Sequence, residues 1–364
     1  MLIPMSTRRP SRWPGPRPWH RSLAAVLALV LVPAAGCAGG GSGGAAGGRA
    51  ATATTATAAT TTRPAVPPAP VPVGQVELTV TDTGRSIPAG GQDPGAPARV
   101  LPVLVLYPAQ RDGPHTPGRR DGAPYPLVVF SHGFTGDGPA YTPFLRRLAA
   151  WGYVVAAPTF PRTSRGAPGG PRLADYVNQP RDVRVVIDAL ARSARPGRAA
   201  RAGGAVTLDG DTTPLAGLLD TDRVAVAGHS LGGATTIGVA FHTCCRDRRV
   251  RAAIPIAPVR LPFPDGTFER RDLPVLFIHG DRDPILRYQI SVDLYGAAAP
   301  PKALLTLIGA GHTPFGPPWS DPMLDALRAF LDTFVRDDPD APARLRQAEV
   351  AGVTTLETDG IQAR

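Results

Sequence analysis

Apolar positions along this chain fall into two kinds of run. The first pattern begins near residue 75. "VELTV" (76–80) alternates apolar and polar residues as a half-exposed strand does, and "RVLPVLVLYP" (99–108) reads as its neighbour. Beyond a loop rich in Pro, Gly and Arg the alternation stops. "PLVVFSHG" (126–133), "YVVAAP" (153–158), "RVAVAGHS" (223–230), "RAAIPIAP" (251–258), "PVLFIHGD" (274–281) and "ALLTLIG" (303–309) are short, continuous apolar runs. Strands buried on both faces have this form. Between them lie helix-spaced patterns at 140–151, 180–194, 231–244 and 321–335. Strands alternating with helices predict an α/β chain: a mostly parallel, doubly wound sheet with an antiparallel N-terminal edge. In such a sheet ligands bind beyond the carboxyl ends of the strands, so the residues just after each run carry the functional signal.

Upstream of residue 75 there is no such periodicity. Residues 1–22 are basic and Pro-rich, and residues 23–36, "LAAVLALVLVPAAG", form an apolar run too short to span a bilayer. Its length suits a signal-peptide core. Ala34, Ala35 and Gly36 precede Cys37 in a pattern that resembles a bacterial lipobox, which implies a leader over 1–36 and a lipid on Cys37. Ala34 stands where a lipobox prefers leucine, and the alternative is an ordinary secretory signal cleaved nearby. Arg8-Arg9 hints at twin-arginine export and leaves the route open. Residues 38–72 are almost entirely Gly, Ser, Ala, Thr and Pro, so 37–74 is expected to be a disordered tether. The folded domain is then expected over 75–336. A tail at 337–364 either docks as a short helix or stays loose.

Charge changes this picture little. The formal net charge is +10, but Arg8, Arg9, Arg12, Arg17 and Arg21 sit in the leader; removing them from the 39 basic residues leaves 34 against 29 acidic. The rest are scattered, and the one dense cluster, Arg246 to Arg251, has no interleaved aromatics. A nucleic-acid surface concentrates its charge on one face, so a nucleic-acid partner is not expected. Aromatic residues are only 6% of the chain, so the core is built from Val, Leu, Ile and Ala. Cys244 and Cys245 lack metal-ligand spacing and read either as two thiols or as a vicinal disulfide.

The chemistry gathers at three strand ends. In "AGHSLGG" a strand runs into Gly228, His229, Ser230, Leu231 and Gly232, and a helix follows. A serine hydroxyl is a poor nucleophile until a base takes its proton, and it must project from a sharp strand-to-helix turn to meet a substrate. Glycines two positions either side allow that turn. His312, in "GAGHT" after the last predicted strand, is the candidate base. "HGDRDP" supplies the acid: Asp283 is preferred, Asp281 serves the turn and Asp265 is a third choice. His132, His229 and His279 read as turn-packing residues. Two N–H donors for an oxyanion are expected from Leu231 and from Phe134 in "SHGFTGD". No cofactor and no metal is called for.

Together "SHGF", "AGHSLGG", "HGDRDPI" and "GAGH" resemble the α/β-hydrolase superfamily over about residues 75–336. "AAPTFPRTS" and "DYVNQPRDVRVVIDAL" are similar to its exported esterase branch, which includes dienelactone hydrolase-like proteins, platelet-activating-factor acetylhydrolases and cutinase-like polyester hydrolases. The resemblance implies cofactor-free hydrolysis of carboxylic esters, with an ester and a membrane surface as partners. Ser230 departs from the cysteine of dienelactone hydrolases proper. An acyltransferase or peptidase could use the same three residues, and a non-catalytic surface-binding lipoprotein would lack one of them. The cap segment, "VRLPFPDGTFERRD", is short, which predicts an open cleft. Leu261, Phe263 and Phe268 either line its rim or pack the loop, and 161–179 forms a second rim.

Overall fold

The computed structural model describes residues 69–193 and 205–362. The leader, Cys37 and the tether up to residue 68 lie outside the described residues. Among the described residues eleven strands form one sheet. They are β1 (Val73–Asp82), β2 (Arg99–Pro108), the two-residue β3 (Gly113–Pro114), β4 (Tyr125–Ser131), β5 (Val154–Pro158), β6 (Val206–Asp209), β7 (Leu219–His229), β8 (Val250–Ile256), β9 (Val275–Gly280), β10 (Lys302–Leu307) and β11 (Thr354–Asp359). Their order is β11-β10-β9-β8-β7-β4-β5-β2-β1-β3, with β6 also pairing β1. Every pairing from β5 through β4, β7, β8 and β9 to β10 is parallel. β2 runs antiparallel to both β5 and β1. This is the predicted architecture.

Among the described residues six α-helices cover the two faces: α1 (Thr142–Ala150), α2 (Gln179–Ser193), α3 (Leu231–Phe241), α4 (Gln289–Ala297), α5 (Ser320–Phe334) and α6 (Ala341–Arg346). Side chains of β4 alternate between two core layers because successive residues of a strand point to opposite faces. Leu127 and Val129 join Val186 of α2, Ile237 of α3 and Leu294 of α4. Val128 and Phe130 join Phe144 of α1, Phe330 of α5 and Leu345 of α6. Both faces are dry, which is why the strand reads as continuous apolar sequence. Each such side chain contributes about 1.5–3 kcal/mol by leaving water.

An ionic knot fastens the α5 side. Asp332, fully buried, accepts hydrogen bonds from Tyr153 Oη (2.7 Å), Arg336 Nη1 (2.9 Å) and Arg344 Nη2 (3.2 Å), with Arg328 Nε at 3.5 Å. Arg336 also donates to the carbonyls of Trp151 (3.0 Å) and Gly152, closing α5 onto the turn before β5.

Several expectations need correction. The first strand begins at Val73, inside the segment expected as tether; its N–H donates to the Asp112 carboxylate (2.9 Å), and Val71 N–H already donates to Ala150 O (2.8 Å). The sheet also continues past the expected domain end at 336: the tail forms α6 and then β11, which pairs antiparallel with β10. α4 went unpredicted because it buries only Ser291 and Leu294, too few for an apolar stripe. The helix expected over 231–244 stops at Phe241, and just beyond it Cys244 and Cys245 form a vicinal disulfide rather than two thiols. Between β8 and β9, residues 257–274 carry no helix, so no large cap lies over the sheet. No helix among the described residues is long and apolar enough to cross a membrane.

Candidate active site

The end of β7 and the start of α3 leave one residue between them, Ser230, with φ 56° and ψ −115°. A non-glycine residue at such angles is strained by about 1–3 kcal/mol, and surrounding bonds must hold it there. The Ser230 N–H donates to Ile256 O (2.9 Å), and Ser230 O accepts from Gly233 N–H (2.9 Å). The flanking glycines are steric necessities. A Cβ on Gly228 would lie 2.3 Å from Gly232 O, and one on Gly232 would lie 2.0 Å from Ser131 O.

A hydrogen-bonded line leads away from the hydroxyl. Ser230 Oγ lies 2.9 Å from His312 Nε2, and His312 Nδ1 lies 2.7 Å from Asp283 Oδ2. A carboxylate only accepts, so Nδ1 carries a hydrogen, and in the neutral tautomer Nε2 is bare toward the serine. Asp283 follows β9 and is fully buried as a side chain. Burial alone raises its pKa. The N–H donors of Leu286 and Ile285 (2.9 and 2.8 Å) and the His312 ring outweigh that effect and hold it below the usual carboxylate range. Oδ2 accepts a further bond from His279 Nε2 (3.1 Å). The loops carrying Asp283 and His312 abut because Gly280 has no side chain: a Cβ there would sit 2.3 Å from Ala310 O. Asp281 instead accepts from Gly309 N–H (2.7 Å), a turn contact, and Asp265 lies on the 257–274 loop with no bond to His312 among the described residues.

Two N–H groups are expected to face an oxyanion: that of Leu231, next after the serine, and that of Phe134, whose neighbour Gly133 abuts Ser230 (a Cβ on it would lie 3.4 Å from Ser230 Cβ). Leu231 is the first residue of α3, so its N–H has no intrahelical acceptor. The N–H of Phe134 has no acceptor among the described residues either. The Phe134 loop is pinned by His132, whose Nδ1 donates to Gly133 O (2.8 Å) and whose Nε2 accepts from Phe160 N–H (2.9 Å). Burial pushes the His132 pKa down to about 4, so the ring is neutral. Thr135 N–H donates to Thr163 O (2.8 Å), tying this loop to the 161–179 rim. Phe263 is buried against Tyr176 and His242, and Phe268 stacks on Phe241; both pack the loop rather than line the cleft.

Two contacts around these residues were not foreseen. His279 read as turn packing, yet it donates to the same carboxylate oxygen as His312. Tyr141 carried no signal at all, yet its hydroxyl lies 2.9 Å from His229 Nδ1. Among the described residues no group of His, Cys, Asp and Glu could hold a metal ion.

Comparison with known proteins places this arrangement. The platelet-activating factor acetylhydrolase of Canis lupus familiaris is 27% identical over 190 residues, covering 45% of this chain and 41% of that protein. The Gallus gallus enzyme is 25% identical over 244 residues, 58% of this chain and 56% of its own. The chain thus spans about half the length of the curated relatives it matches. A ferulic acid esterase from Streptomyces cinnamoneus has a similar fold, with TM-score 0.53 and 23% identity, covering 75% of this chain and 93% of its own. Residues 123–339 match the PET hydrolase-like family. That stretch is more than half of the chain, runs from before β4 to beyond α5, and contains Phe134, Ser230, Asp283 and His312; the chain belongs to the PET hydrolase-like family.

Proposed function

We propose that this protein is a serine carboxylesterase working through Ser230, His312 and Asp283. The observation that carries this reading is the line of two hydrogen bonds, 2.9 and 2.7 Å, leading from a strained serine hydroxyl to a buried carboxylate. His312 Nε2 takes the Ser230 proton as Oγ bonds to the ester carbonyl carbon. The carbonyl oxygen becomes an oxyanion facing the N–H groups of Phe134 and Leu231. Asp283 orients the imidazole and stabilises its charged form without itself taking a proton. The imidazolium then protonates the departing alcohol, leaving an acyl-enzyme, and a water activated by His312 releases the acid and restores Ser230.

The substrate class follows from the rim. With no helical cap between β8 and β9, the cleft admits small to medium esters or esters displayed on a larger surface. Phe134 and Ile285, 39% and 67% exposed, offer apolar faces on the loops that carry the oxyanion donor and Asp283. The relatives are platelet-activating factor acetylhydrolases and the fold neighbour is a ferulic acid esterase; ester hydrolysis is the chemistry these names share with the proposal. Ser230→Ala is expected to remove p-nitrophenyl butyrate hydrolysis and leave the melting temperature unchanged. Retention of more than about a tenth of the rate would sink the mechanism.

The same proposal holds the enzyme at the outer face of a membrane by a lipid on Cys37, supported by the small residues before it and the Gly/Ala/Thr/Pro tether after it. Mass spectrometry of membrane-extracted protein should find a diacylglyceryl group on an N-terminal Cys37. A mature terminus elsewhere rejects the anchor.

A further inference from the structure

Tyr141 closes the short helical turn Pro139–Tyr141 that leads into α1. Its hydroxyl is 2.9 Å from His229 Nδ1 and 3.2 Å from Gly133 N. The other ring nitrogen, His229 Nε2, is 2.7 Å from His312 O. These distances leave only one arrangement of hydrogens for a neutral ring. A carbonyl can only accept, so His229 Nε2 carries the hydrogen and Nδ1 is bare. Nδ1 then accepts from Tyr141 O–H, and the tyrosine oxygen accepts from Gly133 N–H. Three bonds run in one direction and no donor or acceptor is left over. Burial pushes the His229 pKa down to about 4, which keeps the ring neutral.

The two ends of this chain are what matter. Gly133 immediately precedes Phe134, the proposed oxyanion donor, and His312 is the proposed base. Apolar packing secures the same two ends. Phe315, three residues past His312, lies edge-on to Tyr141 (5.3 Å between centroids), His229 (5.1 Å) and Phe144 (5.2 Å).

We infer that Tyr141 and His229 are positioning residues, a strut of ordered hydrogens that fixes the separation between the oxyanion-binding loop and the His312 loop. The inference rests on the esterase reading above. It assigns the tyrosine a role in catalysis without contact with substrate: the hydroxyl holds the His132–Gly133 peptide, one peptide before the Phe134 N–H, while His229 holds the backbone of the base. Proton transfer and oxyanion binding must occur in one geometry. A misplacement of 1 Å in such a site costs roughly 100-fold in rate.

Tyr141→Phe tests this most cleanly, because it keeps the ring against Phe315 and removes one oxygen. With p-nitrophenyl butyrate, kcat is expected to fall by about tenfold, less than the roughly 100-fold of a full 1 Å misplacement. KM and the melting temperature should stay near wild type. Phosphonylation of Ser230 by a p-nitrophenyl alkylphosphonate should slow by the same factor, since it uses the same oxyanion loop and base. Combining Tyr141→Phe with His229→Gln should cost little more than His229→Gln alone, because one broken strut cannot be broken twice. A Tyr141→Phe enzyme with kcat within twofold of wild type overturns the strut. So does a lowered melting temperature with kcat intact, which is the signature of packing alone. A wild-type protein inactive on esters, or an active Ser230→Ala, overturns the esterase reading instead.

Discussion

Asp332 and Asp283 are both fully buried carboxylates, and their surroundings differ in one respect. Asp332 is ringed by permanent cations: Arg336, Arg344 and Arg328, with a tyrosine hydroxyl beside them. Asp283 is surrounded by donors without a permanent charge: two backbone N–H groups and the rings of His279 and His312. A guanidinium does not give up its charge in a protein. The first carboxylate is therefore matched once and for all, and its work is to fasten α5 to α6 and to the turn before β5. The second has no permanent cation as its partner. In the proposed mechanism that partner is the imidazolium made when Ser230 loses its proton. The comparison teaches that a buried carboxylate serves structure or chemistry according to whether its counter-charge is fixed or formed on demand.

The contrast can be broken from either side. The largest effect is expected at the site. Asp283→Asn should lower kcat by roughly 10⁴-fold, because an amide cannot hold the His312 tautomer or stabilise its charged form. Its melting temperature should fall modestly, because the carboxylate's lowered pKa is itself a contribution to stability, and kcat is compared on folded protein. Asp281→Asn, which loses only a turn contact, is the control, and steady-state kinetics should show it losing less than about tenfold. If Asp281→Asn is the silent enzyme, the acid has been misassigned.

The knot should fail in the opposite manner. Asp332→Asn leaves Arg336 buried without its counter-charge and should cost about 3–5 kcal/mol of stability. At low temperature, where the protein remains folded, kcat should be unchanged. Urea titration followed by assay of the folded fraction separates the two effects, and a collapse of kcat in the folded fraction would erase the distinction drawn here.

Acid sharpens the comparison with an effect that is smaller for each group. His132 and His229 are held neutral with pKa near 4, against 6.5 in the unfolded chain, and burial is the main cause. Between pH 6.5 and 4 the unfolded state binds more protons, so stability falls as pH falls through that window. The loss is roughly 3 kcal/mol for each ring by pH 4. Asp283 adds to the loss only further down: its contribution is full above its unfolded pKa and disappears as pH drops through its lowered folded value. Denaturation curves at pH 7, 5.5 and 4 measure this, and a flat profile above pH 4 refutes it.

The sheet and the three residues brought together at its edge were legible because each leaves a local trace. Continuous apolar runs mark doubly buried strands, and glycines two positions from Ser230 mark a turn whose backbone admits no side chain. The Tyr141–His229 contact left no such trace. It joins residues 88 apart in sequence, and nothing near Tyr141 distinguishes it from a tyrosine opening any amphipathic helix. His279 was read as packing because a histidine ending a strand has the same local pattern whether it meets a carboxylate or a carbonyl. The disulfide stayed ambiguous because adjacent cysteines look the same in sequence when reduced and when joined. β11 was missed for a different reason: "TTLETD" has polar residues on its open side, as an outermost strand should, and so reads as tail.

That outermost strand has a consequence for handling the molecule. Without it, the backbone of β10 would present a row of unpaired N–H and C=O groups along an apolar strand, a template on which another chain can add itself. β11 occupies the template and turns Glu357 and Asp359 outward beside it. A recombinant version cut at residue 336 would keep every side chain around Ser230 and uncover a surface that recruits its own copies. β11 is thus a built-in stopper against aggregation.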